Sequence, residues 1–137
     1  MSSLPAPLPI RLNPGDDLRA ALEAAVAAQG CSAAFVLAGI GSLSATRLRL
    51  AGAERAHPVA GDAEILTLSG SIAANGSHLH ASVADASGRM LGGHVAPGCI
   101  VRTTAEVLIA LLPDWHFTRE HDVKTGYAEL VMRRAGT

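Results

Sequence analysis

HLHASVADASGRMLGGHV, residues 78–95, decides how this chain is read, because it has the pattern of a β-hairpin and gathers three of the chain's six histidines. In an extended strand residues two apart share a face, so His78 and His80 point one way while Leu79, Ala81 and Val83 point the other. The face on which His94 falls depends on the length of the loop. A two-residue loop at Ala86-Ser87, or a four-residue loop from Asp85 to Gly88, sets His94 opposite Leu79. A three-residue loop, Ala86-Ser87-Gly88, sets Asp85 opposite Arg89 and His94 opposite His80. Loops of this length commonly end on a residue in the left-handed region, and Gly88 stands there. The three-residue loop is the one expected, because it collects Leu79, Ala81, Val83, Leu91, Gly93 and Val95 on one face that can be buried. The other face then carries His78, His80, Ser82, Met90, Gly92 and His94.

Directly opposed side chains have Cβ atoms roughly 5 Å apart, so the three imidazoles can meet at one ion with bonds of about 2.0–2.1 Å. Gly92, beside Ser82, removes a side chain from that face and leaves room for a water, a fourth ligand or a substrate. An open position is the catalytic pattern, whereas a closed structural site needs a fourth protein ligand. The same spacing also suits imidazoles on a solvated strand face, so both readings stand at this level. The remaining histidines carry weaker signals. His57 precedes a proline in a loop, and His116 and His121 sit beside charged residues, so surface roles are expected for all three. Glu64 and Glu106 lie in apolar strands, where a buried carboxylate would need a partner, although a solvent-facing place is the simpler reading for Glu106. With Arg102 they are the accessory groups that could serve a histidine site.

Working outward, Pro9 to Leu12 reads as a short strand, and Asn13-Pro14-Gly15-Asp16 supplies turn and capping residues. DDLRAALEAAVAAQG then places Leu18, Ala21, Leu22, Ala25 and Val26 on one helical stripe, ended by Gly30. Ala33 to Leu43 is a continuous apolar run rich in glycine, a buried strand. TRLRLAG, from Thr46, alternates as a half-buried strand. Residues 51–61 read as a loop containing Pro58. A strand from Ala63 to about Ala73 ends at Asn75-Gly76. Beyond the hairpin, Pro97-Gly98 precedes a strand in CIVRTTAEVLIALLP, WHFTREHDVKTG is a short strand running into a loop, and YAELVMRR is a last strand. Many strands and one firm helix make a largely antiparallel α+β domain spanning residues 1–137, its sheet carrying one or two packed helices.

Composition narrows the function. A chain of 137 residues can bury a core unaided, and that core must be aliphatic, since aromatics are only 3% of the chain while apolar residues are 49%. Few charges are left to cover the surface, so self-association is expected. A formal charge of −1 argues against gripping nucleic acid through phosphate neutralisation alone. Arg47 and Arg49 on one strand face, and Arg133 with Arg134, read as ordinary surface pairs. Cys31 and Cys99 have no CxxC spacing, so two free thiols in a reducing compartment are expected. No leader or sustained apolar run is visible, which predicts a soluble cytoplasmic protein away from membranes.

The pieces GSL (41–43), GDAEIL (61–66), HLHASV, GRMLGGHV, PGCIVRTTAEV and RE.D..TGY, in this order, resemble the PPC domain of plants and prokaryotes, which is also found attached to AT-hook DNA-binding motifs. The resemblance covers about Ile10 to Arg133. It implies an antiparallel-sheet domain assembling as a homotrimer and, as in prokaryotic members, a histidine-bound metal matching His78, His80 and His94. That metal would be a divalent transition ion, zinc first, though three imidazoles also suit copper, nickel or iron. Two departures stand out. Plant members read G-R-F-E-I-L around the position of Glu64, where Asp62 and Ala63 replace the Arg and Phe, and the R-G-R-P core of an AT-hook is missing. The resemblance implies a DNA-associated or regulatory protein without an AT-hook, with DNA or a DNA-binding protein as partner, while these departures mean that plant-type partner recognition and AT-hook DNA binding are not carried over. A metal-dependent enzyme acting on a small molecule, and a metal-free interaction module, are the other two functions the residues allow.

Overall fold

Asp17 starts the one helix found among the described residues, and the strands around it alternate buried and exposed positions. The computed structural model describes residues 4–136; Met1–Ser3, the head of the stretch read above as leaderless, and Thr137 lie outside the described residues. The elements in chain order are β1 (Ala6–Leu12), α1 (Leu18–Ala28), β2 (Ala33–Arg49), β3 (His57–Val59), β4 (Ala63–Ala73), β5 (Gly76–Asp85), β6 (Met90–Val95), β7 (Ile100–Leu111), β8 (Trp115–His121) and β9 (Ala128–Arg134). The fold is α+β and largely antiparallel, as expected, with a single helix.

The main sheet runs β1-β7-β2-β4-β5-β6, with β3 paired to β2. β2 is long enough to serve two neighbourhoods. Its first half lies between β7 and β4, and its end turns to pair Leu48 with Val95 and Arg49 with His94 of β6. That second pairing closes β2, β4, β5 and β6 into a ring. β8 and β9 form a separate two-stranded sheet, from Trp115 opposite Arg134 to His121 opposite Ala128.

Apolar residues from alternate strand positions meet the helix stripe Leu18, Leu22 and Val26 inside the sheet. Each fully buried leucine contributes about 1.5–3 kcal/mol relative to exposure. The Asp17 carboxylate accepts from Ala20 N at 3.0 Å, capping the helix, and from Gly98 N at 2.7 Å, tying the cap to the loop before β7. A second, smaller cluster forms on the outer face, where Phe117 of β8 is buried against Ala33 and Ala73 and meets Phe35 edge-on, with ring centroids 5.8 Å apart. This contact lays the β8–β9 hairpin over the ends of β2 and β4. No helix among the described residues is long and apolar enough to cross a membrane.

Three local expectations change. The strands read separately over 33–43 and from Thr46 are one seventeen-residue strand. It keeps going past its glycines because its register slips between Val36 and Ala38, Gly41 and Leu43, and Leu43 and Ala45, which lets it bend without ending. The loop at 51–61 contains β3, where Pro58 is tolerated because the strand is short and lies at an edge. β1 begins at Ala6 rather than Pro9, again with prolines on an edge strand. WHFTREH is the short strand expected, running into the loop at 122–127, and it pairs with the last strand.

Candidate functional site

The hairpin closes through the three-residue loop. Asp85 N donates to the Arg89 carbonyl at 2.9 Å, Gly88 has φ +81°, and the Asp85 carboxylate accepts from Ser87 N and Arg89 N, both at 2.9 Å. The register follows: His80 stands opposite His94, Ser82 opposite Gly92 and Val83 opposite Leu91. Leu79, Ala81, Val83 and Val95 are buried, and the imidazoles lie on the outer face.

The three rings converge. His78 Nε2 lies 3.1 Å from His94 Nδ1 and 3.0 Å from His80 Nε2, and the three ligand atoms all fall within 4.8 Å of one another. Ring centroids are 4.6–5.0 Å apart. A tetrahedral ion with bonds of about 2.0–2.1 Å spaces its ligand atoms about 3.3 Å apart, so the two short separations suit such an ion. A ring nitrogen carries either one lone pair or one proton, so His78 Nε2 can complete one of its two short contacts as a hydrogen bond and not both.

Burial, reinforced by the Arg119 guanidinium, then by His80 and Arg49, pushes His78 below the ordinary imidazole value, with Glu129 opposing. Burial, then Arg49, then the other two imidazoles do the same to His94. Both rings are thus held neutral near pH 7, the form that offers lone pairs to a metal.

Cross-strand pairing explains the two cations. Arg49 stands directly opposite His94 on β2, where the absence of a side chain on Gly93 lets the strands close: a Cβ there would lie 2.8 Å from the Arg49 carbonyl oxygen. Arg119, on β8, donates through Nη2 to Ser71 Oγ at 3.0 Å, and Ser71 stands directly opposite His78. The main chain of Arg119 is fixed by Asn75, whose side chain accepts from its N–H at 2.7 Å and donates to its carbonyl at 2.9 Å. Residue order marks Arg49 only as one of a surface pair and does not mark Arg119 at all, since neither lies near the histidines in the chain.

The accessory residues are placed elsewhere. Glu64 is exposed opposite Ala84, four residues along β5 from His80, or about 13 Å at strand rise. Glu106 is exposed on β7, opposite Arg11 and Ile40. Arg102 pairs with Asp62 at 3.2 Å. The charges acting on His78 and His94 are Arg119, Glu129 and Arg49 instead. His57 and His121 are exposed, as is His116, whose Nδ1 lies 2.7 Å from Ser32 Oγ.

The sequence pattern of the Plants and Prokaryotes Conserved (PCC) domain matches residues 3–113. The chain belongs to this family. Over 122 residues, 89% of its length, it is 48% identical to the bifunctional protein GlmU of two Synechococcus strains, JA-2-3B'a(2-13) and JA-3-3Ab, and it spans about a fifth of those relatives' length. Among solved structures, a hypothetical protein of Salmonella cholerae-suis is 38% identical and superposes with a TM-score of 0.91, covering 98% of this chain and 97% of the other. A metal-containing protein of Archaeoglobus fulgidus shares the fold at 22% identity and a TM-score of 0.80, covering 96% of each chain. So does a candidate DNA-binding protein of Bacteroides thetaiotaomicron, at 19% identity and a TM-score of 0.79, covering 94% and 98%. The matched segment of this chain contains His78, His80, His94 and Arg49 and ends before Arg119.

Proposed function

We propose that this PPC-family protein is a homotrimeric binding module that holds a divalent transition metal, zinc first, on His78, His80 and His94 and serves a regulatory or DNA-associated role without an AT-hook. The observation that carries the metal is the doubly contacted His78 Nε2, since one shared cation satisfies three converging lone pairs that hydrogen bonds cannot satisfy together. The Archaeoglobus protein of the same fold is described as metal-containing, which agrees. Bound there, the ion would supply a Lewis acid with room for a further ligand. The chain's own part is to hold the imidazoles neutral and oriented, and to leave that room beside Gly92.

The trimer reading rests on the outer face of the sheet, where Phe35, Leu37, Ile40, Leu66 and Leu108 are exposed together on β2, β4 and β7. An apolar face of this kind is costly in water and is normally covered. The DNA-associated reading rests on the family and on the Bacteroides protein's description. With a formal charge of −1 per chain a trimer is acidic, so DNA would be reached through a partner protein rather than by direct phosphate contact. The Synechococcus relatives, in which the matching segment is about a fifth of a larger bifunctional protein, support a module that regulates what it is attached to. The two thiols suit a reducing cytoplasmic setting. A second reading, a metal-dependent enzyme on a small molecule, is favoured by one feature: Ser82 Oγ, 2.6 Å from Thr67 Oγ1, lies opposite Gly92 beside the open position.

The test is elemental analysis of untagged protein purified without chelator, together with light scattering. About one metal per chain, lost in His78→Ala, His80→Ala and His94→Ala and kept in His57→Ala, is expected on a trimer mass. No metal after reconstitution would sink the site, and a clean monomer would sink the assembly. Metal-dependent turnover of small esters or amides would favour the enzyme, and salt-dependent DNA retention would revive direct DNA binding.

A further inference from the structure

The outer face of the sheet orders its polar groups across four strands. Ser71 on β4, with Arg119 donating to it, comes first; His78 and His80 on β5 follow, then His94 on β6, then Arg49 at the end of β2. Paired residues share a face, so the two guanidinium side chains bracket the three imidazoles. Ser71 and Arg49 each stand one strand spacing, about 5 Å, from the histidine that they face, His78 and His94. Both cations act on His78, Arg119 the more strongly.

Neither arginine is neutralised locally. Ion pairs within 4.0 Å such as Arg19 with Glu23, Arg102 with Asp62 and Arg133 with Glu120 involve neither Arg49 nor Arg119. Arg49 donates to the Ala53 carbonyl at 3.3 Å and Arg119 to the Ser71 hydroxyl, so each spends one donor on a neutral acceptor and keeps others free. Glu129 is the carboxylate that acts on Arg119 and His78 from β9. Two guanidinium ions against one carboxylate leave surplus positive charge at a half-buried place, before any metal is added.

We propose that the outer face of β4, β5 and β6, beside the β8–β9 hairpin, binds a small oxyanion, a phosphate or carboxylate group, between Arg49 and Arg119 and over the three imidazoles. Guanidinium forks match the acceptor geometry of both groups, and an anion offsets the surplus charge. The inference deepens the metal reading, since a bound divalent ion would present its open position to the same anion. It also assigns a specificity role to Arg119, a residue beyond the segment that the family pattern matches.

The test is calorimetric titration of zinc-loaded and metal-free protein with inorganic phosphate and with acetate, in the parent and in Arg49→Gln, Arg119→Gln and Arg119→Lys. Zinc content and circular dichroism are recorded for each. The zinc-loaded parent should bind at least one of the two anions, tenfold or more weakly in either Gln variant, and at an intermediate level in Arg119→Lys, with zinc content unchanged. Affinity within twofold of the parent in both Gln variants overturns the proposal, as does failure of the zinc-loaded parent to bind either anion. If the protein takes up no zinc, the metal reading fails separately, and the same ratios in the metal-free titrations decide for or against the arginines.

Discussion

Replacing Gly70 by alanine should destabilise the protein far more than the same change at Gly76, although the two glycines have nearly the same φ, +148° and +150°. Alanine at either site pays for a backbone region that side chains rarely adopt, on the order of 1–3 kcal/mol. The surroundings differ. At Gly76 an added methyl meets nothing within 4 Å, whereas at Gly70 it would sit 2.0 Å from the His78 carbonyl oxygen and 2.8 Å from Leu79 Cα. Both atoms are backbone, so relief cannot come from a rotamer change. Ordinary contact begins near 3.4 Å, so β4 and β5 must part by about 1.4 Å at this point. Parting them weakens the flanking ladder bonds, about 0.5–1.5 kcal/mol each, and loosens the core at Leu68 and Leu79. An extra loss of about 2–4 kcal/mol follows for Gly70→Ala over Gly76→Ala, or about 8–15 °C in Tm for a domain of this size. Because the displaced backbone carries His78, the metal site proposed above predicts that zinc retention falls in Gly70→Ala and holds in Gly76→Ala. Urea denaturation of both variants, followed by circular dichroism beside metal analysis, measures the difference. Equal losses, within about 1 kcal/mol, would refute the steric argument.

Three further outcomes are expected. In metal-free protein His78 and His94 titrate below the unfolded value of about 6.5, so the unfolded chain binds more protons as pH falls. Stability should therefore be full above pH 6.5 and decline below it; a urea midpoint that stays flat or rises between pH 7.5 and 5.5 would contradict this, and His78→Asn with His94→Asn should flatten the profile. Burial raises the Cys99 thiol and Cys31 is only half-buried, so an aromatic disulfide reagent should titrate one thiol rapidly in native protein and two in denaturant. Phe117→Ala removes the buried ring that holds the β8–β9 hairpin to Ala33 and Ala73 and should cost about 3 kcal/mol. Hydrogen exchange should then speed up in β8 and β9 while β5 and β6 stay protected; loss of protection throughout would mean the hairpin is part of the main cooperative unit.

What could be read from residue order alone follows the distance over which each feature is decided. The hairpin register was legible because loop length, Gly88 and the apolar alternation all act within eighteen residues and agree. The convergence of His78, His80 and His94 came with it. The helix was legible for the same reason, its stripe and its Gly30 stop being local. The cations were not legible. Arg49 reaches the site only because β2 bends past its register slips to meet β6, and Arg119, 48 residues beyond Ser71, only because its hairpin folds back over that serine. Alternation in TRLRLAG tells which residues share a face, but not which strand that face meets. Glu64 is the converse case: an acidic residue in an apolar strand looks buried until the pairing shows it on the exposed face, whereas Glu106 is exposed as its simpler reading has it.

That split between local and distant contributions bears on how the family could vary. The three imidazoles and Arg49 lie within the segment that the family pattern matches, and they are positioned by one hairpin and one sheet closure. Arg119 lies outside that segment, on a separate two-stranded sheet attached by Phe117 and by the Asn75 side chain. A metal site could then be kept unchanged while the wall beside it is exchanged, because the hairpin contributes little to the main core. Under the oxyanion proposal, changing β8 alters what is bound without disturbing what holds the ion. Chains that share the histidine hairpin but differ at the position of Arg119 would, on this reasoning, bind the same metal and select different ligands.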